Sequence, residues 1–258
     1  MKSRPSFPAR LAPLDPAGKP LMRRVGAPPG SRLSVGPASS ALQEQDYAAV
    51  RRDMVNRLMR SGIADATVLA AMGTVERHRF VDSALHAQAY QETSLPIGLG
   101  QTISKPGVVA RMIALLCQGA VGRLGRVLEI GTGCGYQAAV LSLLASEVYS
   151  VERLRGLHER ARENLRTLRL PNVHLLLGDG TIGYAKGAPY AGIIAAAGGG
   201  NVPGAWTEQL ALGGRLVAPV AGLQGTGQAI VVIERTRQGL QQTLHEAVHF
   251  VPLKSGVA

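Results

Sequence analysis

The spacing of apolar residues changes several times along the 258-residue chain, and each change marks an expected element. Residues 1–40 show no apolar period and are interrupted by Pro5, Pro8, Pro13, Pro16, Pro20, Pro28, Pro29 and Pro37. Such a stretch buries too little to fold alone and reads as a disordered leader. From residue 41, Tyr47, Val50, Met54, Val55, Leu58 and Met59 recur at three- and four-residue spacing, predicting an amphipathic helix that stops near Gly62. A second helix is expected over 65–74, with Val68, Leu69 and Met72 on one face. Residues 80–104 read as irregular, because Pro96, Gly98 and Gly100 break any period.

Beyond Pro106 helical and strand periods alternate. Val108, Val109, Met112, Ile113, Leu115 and Leu116 mark a helix. A strand over 126–130 enters a glycine-rich turn, and a helical stretch then runs to about Ala145. A strand over 147–151, a helix through Leu154, Leu157, Ala161, Leu165 and Leu168, and a strand over 173–177 follow. Further strands are expected over 192–197, 215–220, 229–235 and 244–251, the last two joined across Arg237-Gln238-Gly239 as an antiparallel edge hairpin. Strands alternating with helices imply an α/β fold, a doubly wound Rossmann-like sheet with an N-terminal helical extension. Three regions follow: a leader over 1–40, a helical region with a loop facing the substrate over 41–104, and the Rossmann-like domain over 105–258.

Composition narrows the class. Aromatic residues make up only 4% of the chain, so aliphatic side chains must fill the core. No apolar run approaches the roughly 20 residues that span a bilayer, and no secretory signal is visible near the start. Cys117 and Cys134 form neither a disulfide framework nor a metal spacing, so a reducing, cytoplasmic setting is expected. The net charge is +11, but seven basic residues against Asp15 place +6 of it in the first 40 residues. The remaining 218 residues are mildly basic. A basic leader can contact nucleic acid, acidic lipid or anionic proteins, but its Pro/Gly/Ser content favours a solvated segment, and a monomer with neither nucleic-acid nor membrane partner is expected.

The chemistry concentrates at three strand ends. Glu129-Ile130-Gly131-Thr132-Gly133-Cys134-Gly135 lies between a strand and a helix, where glycines let a ligand approach the backbone. The dinucleotide fingerprint would need glycine at 136, which is Tyr136. Alternating glycines with an acid two residues earlier suit S-adenosylmethionine instead, whose ammonium Glu129 can hold. Glu152 ends the following strand, placed to accept hydrogen bonds from both ribose hydroxyls. Gly178-Asp179-Gly180 ends the third strand, with Asp179 placed for the adenine amino group. Together these imply a nucleoside-type cofactor and a methyltransferase-type sheet.

Upstream stands Leu95-Pro96-Ile97-Gly98-Leu99-Gly100-Gln101-Thr102-Ile103-Ser104. This stretch and the glycine loop resemble the protein-L-isoaspartate O-methyltransferases. So do Arg77-His78-Arg79-Phe80-Val81, Val148-Tyr149-Ser150-Val151-Glu152-Arg153 and Phe250-Val251-Pro252-Leu253. The likeness runs over about 47–253. It implies methyl transfer from S-adenosylmethionine to the α-carboxylate of isoaspartyl residues in damaged proteins, whose ester then collapses to a succinimide. It also implies Ser104 as the active-site serine, a hydrogen-bond donor to the substrate carboxylate, with Gln101, Thr102 and Ile103 against the substrate. Ser104 precedes Lys105-Pro106 at a helix start, where free N–H groups favour an anion; an ordinary N-cap serine would sit there too. One departure stands out. The family usually reads like Phe-Asp-x-Ile-Ile-Val-Thr-Ala-Ala-Ala-Pro where this chain has residues 190–201, Tyr-Ala-Gly-Ile-Ile-Ala-Ala-Ala-Gly-Gly-Gly-Asn.

Other readings compete. His245-Glu246-Ala247-Val248-His249 matches a zinc-protease pattern, but that chemistry needs a helix and this stretch reads as strand, so no metal is expected. A nucleic-acid methyltransferase would carry an Asn/Asp-Pro-Pro-Tyr segment near 191–201, where alanine and glycine stand. A non-catalytic relative that keeps the cofactor pocket but binds partners, and a methyltransferase for another substrate, are the remaining alternatives.

Overall fold

The computed structural model describes residues 37–222 and 227–258. The leader expected over 1–40 therefore lies almost wholly outside the described residues. At Pro37 the chain is already helical, and α1 runs Pro37–Arg60. Met54 and Leu58, one turn apart, are buried from it. Asp65 caps α2 (Ala66–Thr74), its carboxylate accepting from the N–H groups of Thr67 and Val68 at 2.9 and 3.1 Å.

Residues 80–104 are more ordered than their sequence suggests. They hold the end of one 3₁₀ turn (Arg77–Phe80), a second (Ser83–Gln88) and an antiparallel hairpin of β1 (Leu95–Gly98) and β2 (Gln101–Ile103). Strands of four and three residues are too short to show a period. The turn between them places Gly98, Leu99 and Gly100 all at positive φ. Pro96 lies on the exposed face of this two-stranded ribbon, whose other face buries Leu95, Ile97 and Ile103, and its missing N–H costs little there.

The α/β part begins with α3 (Pro106–Cys117), where Pro106 occupies the first turn and needs no donor. Val109, Met112, Ile113 and Leu116 form its buried stripe, packed on the sheet. Then come β3 (Leu124–Ile130), α4 (Tyr136–Ser142), β4 (Ala145–Glu152), α5 (Arg155–Arg166), β5 (Val173–Leu177) and β6 (Tyr190–Ala195). A six-residue helix that periodicity did not reveal, α6 (Gly204–Gln209), buries Trp206. The sheet continues through β7 (Leu210–Ala221), β8 (Gln228–Thr236) and β9 (Gly239–Val248).

The seven strands lie in the order β5-β4-β3-β6-β7-β8-β9. The first five are mutually parallel, and β8 and β9 run antiparallel as the expected edge hairpin. Strand order reverses between β3 and β6, so the loop after β3 opens at the switch point where α/β sheets bind ligands. Residues Glu44–Ala258 form one compact unit, and a single buried cluster joins Met54, Met72 and Phe80 to Val127, Val148 and Val217. The expected division near residue 104 is thus not a break in the core. On α5, Leu157, Ala161 and Leu165 recur every four residues and are buried toward β4 and β5.

Several expected boundaries move: β7 begins at Leu210 rather than at 215, and β6 runs Tyr190–Ala195 rather than 192–197. The helix expected to reach Ala145 stops at Ser142, whose carbonyl takes Arg123 and Asn172 side chains at 2.7 and 2.9 Å. The last strand, expected over 244–251, runs Gly239–Val248 because an exposed edge strand tolerates Gln241, Gln242 and Thr243. The chain leaves the sheet at His249. His245 therefore lies in a strand, and Glu246 pairs with Arg111 at 2.7 Å. No metal-ligating cluster occurs among the described residues, and no described helix is long and apolar enough to cross a membrane.

Candidate active site

A cleft of about 490 Å³ opens beyond the carboxyl ends of β3, β4 and β6. The β1–β2 hairpin supplies one wall, with Gln101, Thr102, Ile103 and then Ser104. Gly131, Thr132 and Gly133 form the floor, Glu152, Arg153 and Leu154 the tip of β4, and Gly180 the neighbouring rim. Ala196 and Ala197 come from beyond β6, and Val251, Pro252, Leu253 and Lys254 from the tail.

Glu152 organises the floor. It is 5% exposed, and its Oε2 accepts the N–H of Gly133 at 2.9 Å while Oε1 accepts that of Leu154 at 2.9 Å. Gly133 can turn its N–H there because it adopts φ +56, which side chains resist. Gly180 is needed for a different reason: a Cβ would stand 2.6 Å from Cγ2 of Ile130. Its carbonyl accepts the buried Trp206 Nε1–H at 2.8 Å, which ties the rim to α6.

Glu129 lies beneath the loop, fully buried and behind the cleft lining. Ser150 donates to its Oε2, and Ser150 is joined in turn to Thr132 at 2.6 Å. Its Oε1 has no partner, nor does the nearby Gln137 Nε2. Burial pushes its carboxyl up to about 8, against the Ser150 hydrogen bond.

The remaining expected cofactor residues do not touch the cleft. Gly135 starts α4, donates to the Thr132 carbonyl at 2.9 Å and faces Leu165 of α5. Gly178 donates to the carbonyl of Glu152 at 2.9 Å. Asp179 does not line the cleft, and three donors within the chain already use its carboxylate, which leaves one acceptor site. Oδ1 caps the turn at Thr181, accepting its N–H at 2.8 Å and its hydroxyl at 2.6 Å. Oδ2 accepts the Gly256 N–H at 2.6 Å. Burial opposes its ionisation, but the Gly256 and Thr181 donors outweigh that and hold the carboxyl below its usual range.

Sequence reasoning missed the tail. Gln228 Oε1 accepts the Phe250 N–H at 2.7 Å, Gly198 exchanges bonds with Val251 and Leu253 at 2.9 and 2.7 Å, and Arg153 Nε donates to Gly256 at 3.0 Å. A side chain at 198 would collide with the Gln228 amide, so one glycine of the unusual Gly198-Gly199-Gly200 run has a packing reason. Phe250-Val251-Pro252-Leu253 carries the family likeness, but nothing in it indicated a wall of the cleft. The start of α3 also differs from expectation. Glu92 already accepts the Gly107 N–H through both oxygens, at 3.1 and 3.0 Å, so that N–H is not free for a ligand. The Ser104 hydroxyl makes no hydrogen bond to any described residue.

The profile of the protein-L-isoaspartate (D-aspartate) O-methyltransferases matches residues 49–258. The chain belongs to this family. A protein-L-isoaspartate O-methyltransferase of Methylibium petroleiphilum is 54% identical over 262 residues, covering 98% of this chain and 96% of the relative. A solved protein-L-isoaspartate O-methyltransferase superposes with a TM-score of 0.72 at 27% identity, over 80% of this chain and 66% of that one. A Plasmodium falciparum structure described as a member of the family in complex with S-adenosyl-L-homocysteine aligns with a TM-score of 0.67 over 79% of this chain and 98% of that one. At 22% identity that last likeness speaks for the fold alone.

Proposed function

We propose that this family member is an enzyme that transfers a methyl group from S-adenosylmethionine to the α-carboxylate of L-isoaspartyl residues in damaged peptides and proteins, as protein repair. One observation carries the reading: the glycine loop, the Glu152 tip and the Ser104 segment meet in one cleft within a single chain. Because one chain supplies every wall, a monomer suffices. The cytoplasm is the compartment this reading assigns, in keeping with the free thiols of Cys117 and Cys134.

The residues present suit the cofactor. Gly131, Thr132 and Gly133 offer a backbone floor, Glu152 retains acceptor capacity toward the cleft, and Gly180 leaves a rim that a Cβ would close. Glu129 keeps an unpartnered oxygen beneath the loop, available to an ammonium. Gly135, Gly178 and Asp179 act from behind, holding the turns that present their neighbours. When bound, S-adenosylmethionine supplies a methyl group on a sulfonium, a leaving group that an ionised carboxylate displaces without a strong base.

The chain's own work is then alignment and the exclusion of water. Ser104 offers an uncommitted hydroxyl as donor to the substrate carboxylate. Gln101, Thr102 and Ile103 present the hairpin edge to the peptide, while the tail covers the opposite side. The deciding experiment is transfer of labelled methyl to an isoaspartyl peptide, with the aspartyl peptide as control. Label on the isoaspartyl peptide alone is expected, reduced in Ser104→Ala with S-adenosylhomocysteine affinity retained. Cofactor binding without labelling of either peptide would instead identify a non-catalytic relative.

A further inference from the structure

Arg77 is fully buried, yet it forms no ion pair among the described residues. Its Nε donates to the carbonyl of Ala89 at 2.7 Å and its Nη2 to the carbonyl of Ser104 at 2.7 Å. The guanidinium carbon lies 4.8 Å from the ring centre of Tyr136, and Nη1 has no partner. Ser104 and Tyr136 both line the cleft, so the charge stands directly behind that wall.

A buried charge without a counter-ion is costly, and proteins normally pair it or neutralise it. Burial does draw this guanidinium below its usual value, but arginine does not give up its proton in proteins. The carboxylate whose charge acts on it, Glu92, makes no hydrogen bond to it and is shared with the Gly107 N–H and with Lys105 Nζ at 4.0 Å. That same commitment removes the start of α3 as the obvious source of positive potential at Ser104. Two other cations line the cleft, Arg153 and Lys254, but they belong to the tip of β4 and the tail, and Arg153 is bonded to Gly256. Two carbonyls and a ring face can orient a guanidinium without cancelling its charge. An anion brought to the Ser104 wall supplies what the folded chain lacks.

We propose that Arg77 is a positioning residue for the substrate carboxylate. Its fork ties the Ser104 peptide to the Ala89 peptide, setting where the Ser104 hydroxyl stands. Its uncompensated charge draws the anion to the same wall. The inference rests on the carboxylate substrate proposed above and assigns Arg77 no contact with the reacting atoms.

The test compares Arg77→Met and Arg77→Lys in the full chain, with calorimetry of S-adenosylhomocysteine binding and initial rates on an isoaspartyl peptide. The Met variant keeps bulk without charge, so the peptide KM should rise about tenfold or more while S-adenosylhomocysteine affinity stays within about threefold. The Lys variant keeps the charge but loses the planar fork, so KM should hold and kcat should fall about fivefold or more. An unchanged peptide KM in the Met variant overturns the role of the charge, and an unchanged kcat in the Lys variant overturns the tie. If cofactor affinity falls in step with peptide affinity, Arg77 is merely structural and the proposal fails. Should the Met variant not fold, the Lys variant alone decides. Failure of the proposed function is distinguishable, because the unmodified chain would then leave the isoaspartyl peptide unlabelled.

Discussion

Glu152→Gln is the sharpest probe of the cofactor floor, because the structure limits what its carboxylate can still do. A carboxylate offers about four lone-pair sites. The N–H groups of Gly133 and Leu154 take one on each oxygen, which leaves room for the two hydroxyls of a ribose. Glutamine keeps the shape but turns one oxygen into a donor, so one backbone N–H and one ribose hydroxyl lose their acceptor together. A hydrogen bond to a charged group contributes about 1.5–3 kcal/mol, which predicts S-adenosylhomocysteine binding weakened about ten- to a hundredfold. The orphaned N–H costs about 1–3 kcal/mol in the free protein, so its melting temperature should also fall by several degrees, at about 2–4 °C per kcal/mol. Calorimetric titration with S-adenosylhomocysteine and with its 2′-deoxy analogue separates the two effects. If the ribose contact is real, the analogue binds the unmodified chain more weakly and loses less on mutation. Affinity within about threefold of the unmodified chain, or equal losses for both ligands, would refute the assignment.

Two further outcomes test the surroundings of that floor. Burial holds the Glu129 carboxyl up to about 8, so at pH 7 the ligand-free protein carries it protonated. An ammonium placed against its free oxygen favours ionisation, so S-adenosylmethionine binding should release a proton at pH 7 and tighten as pH rises toward 8. Calorimetry in buffers of different ionisation heat reads that release, which should vanish in Glu129→Gln; equal release in the variant sinks the assignment. Asp179→Ala should loosen the tail rather than empty the pocket. Amide exchange at Gly256 should quicken, while cofactor affinity should drop by no more than about fivefold, the scale of a lost cap of ~1 kcal/mol. A loss as large as that for Glu152→Gln would mean that Asp179 touches the nucleoside directly.

The contrast between Glu152 and Asp179 shows where a sequence stops being readable. Both are acids at the ends of consecutive parallel strands, and both fit the expectation for a nucleoside pocket. Glu152 turns toward the cleft because its bonds go to Gly133 and to Leu154, residues of the two tips that enclose it. Asp179 is claimed by a donor 77 residues further along, which nothing near Asp179 announces. The parallel strands were legible because their buried residues form apolar runs, and the glycine loop because its chemistry is local. The β1–β2 hairpin was not, since Leu95–Gly98 and Gln101–Ile103 are shorter than any period that would reveal them. Arg77 is the extreme case. Its partners are the carbonyls of Ala89 and Ser104, and every residue carries a carbonyl, so no pattern of side chains encodes the choice. What the sequence does contain is an arginine within the polar run Glu76-Arg77-His78-Arg79, where nothing singles it out for burial. A buried charge held by backbone carbonyls leaves no trace in the side chains around it, so only the folded chain shows it.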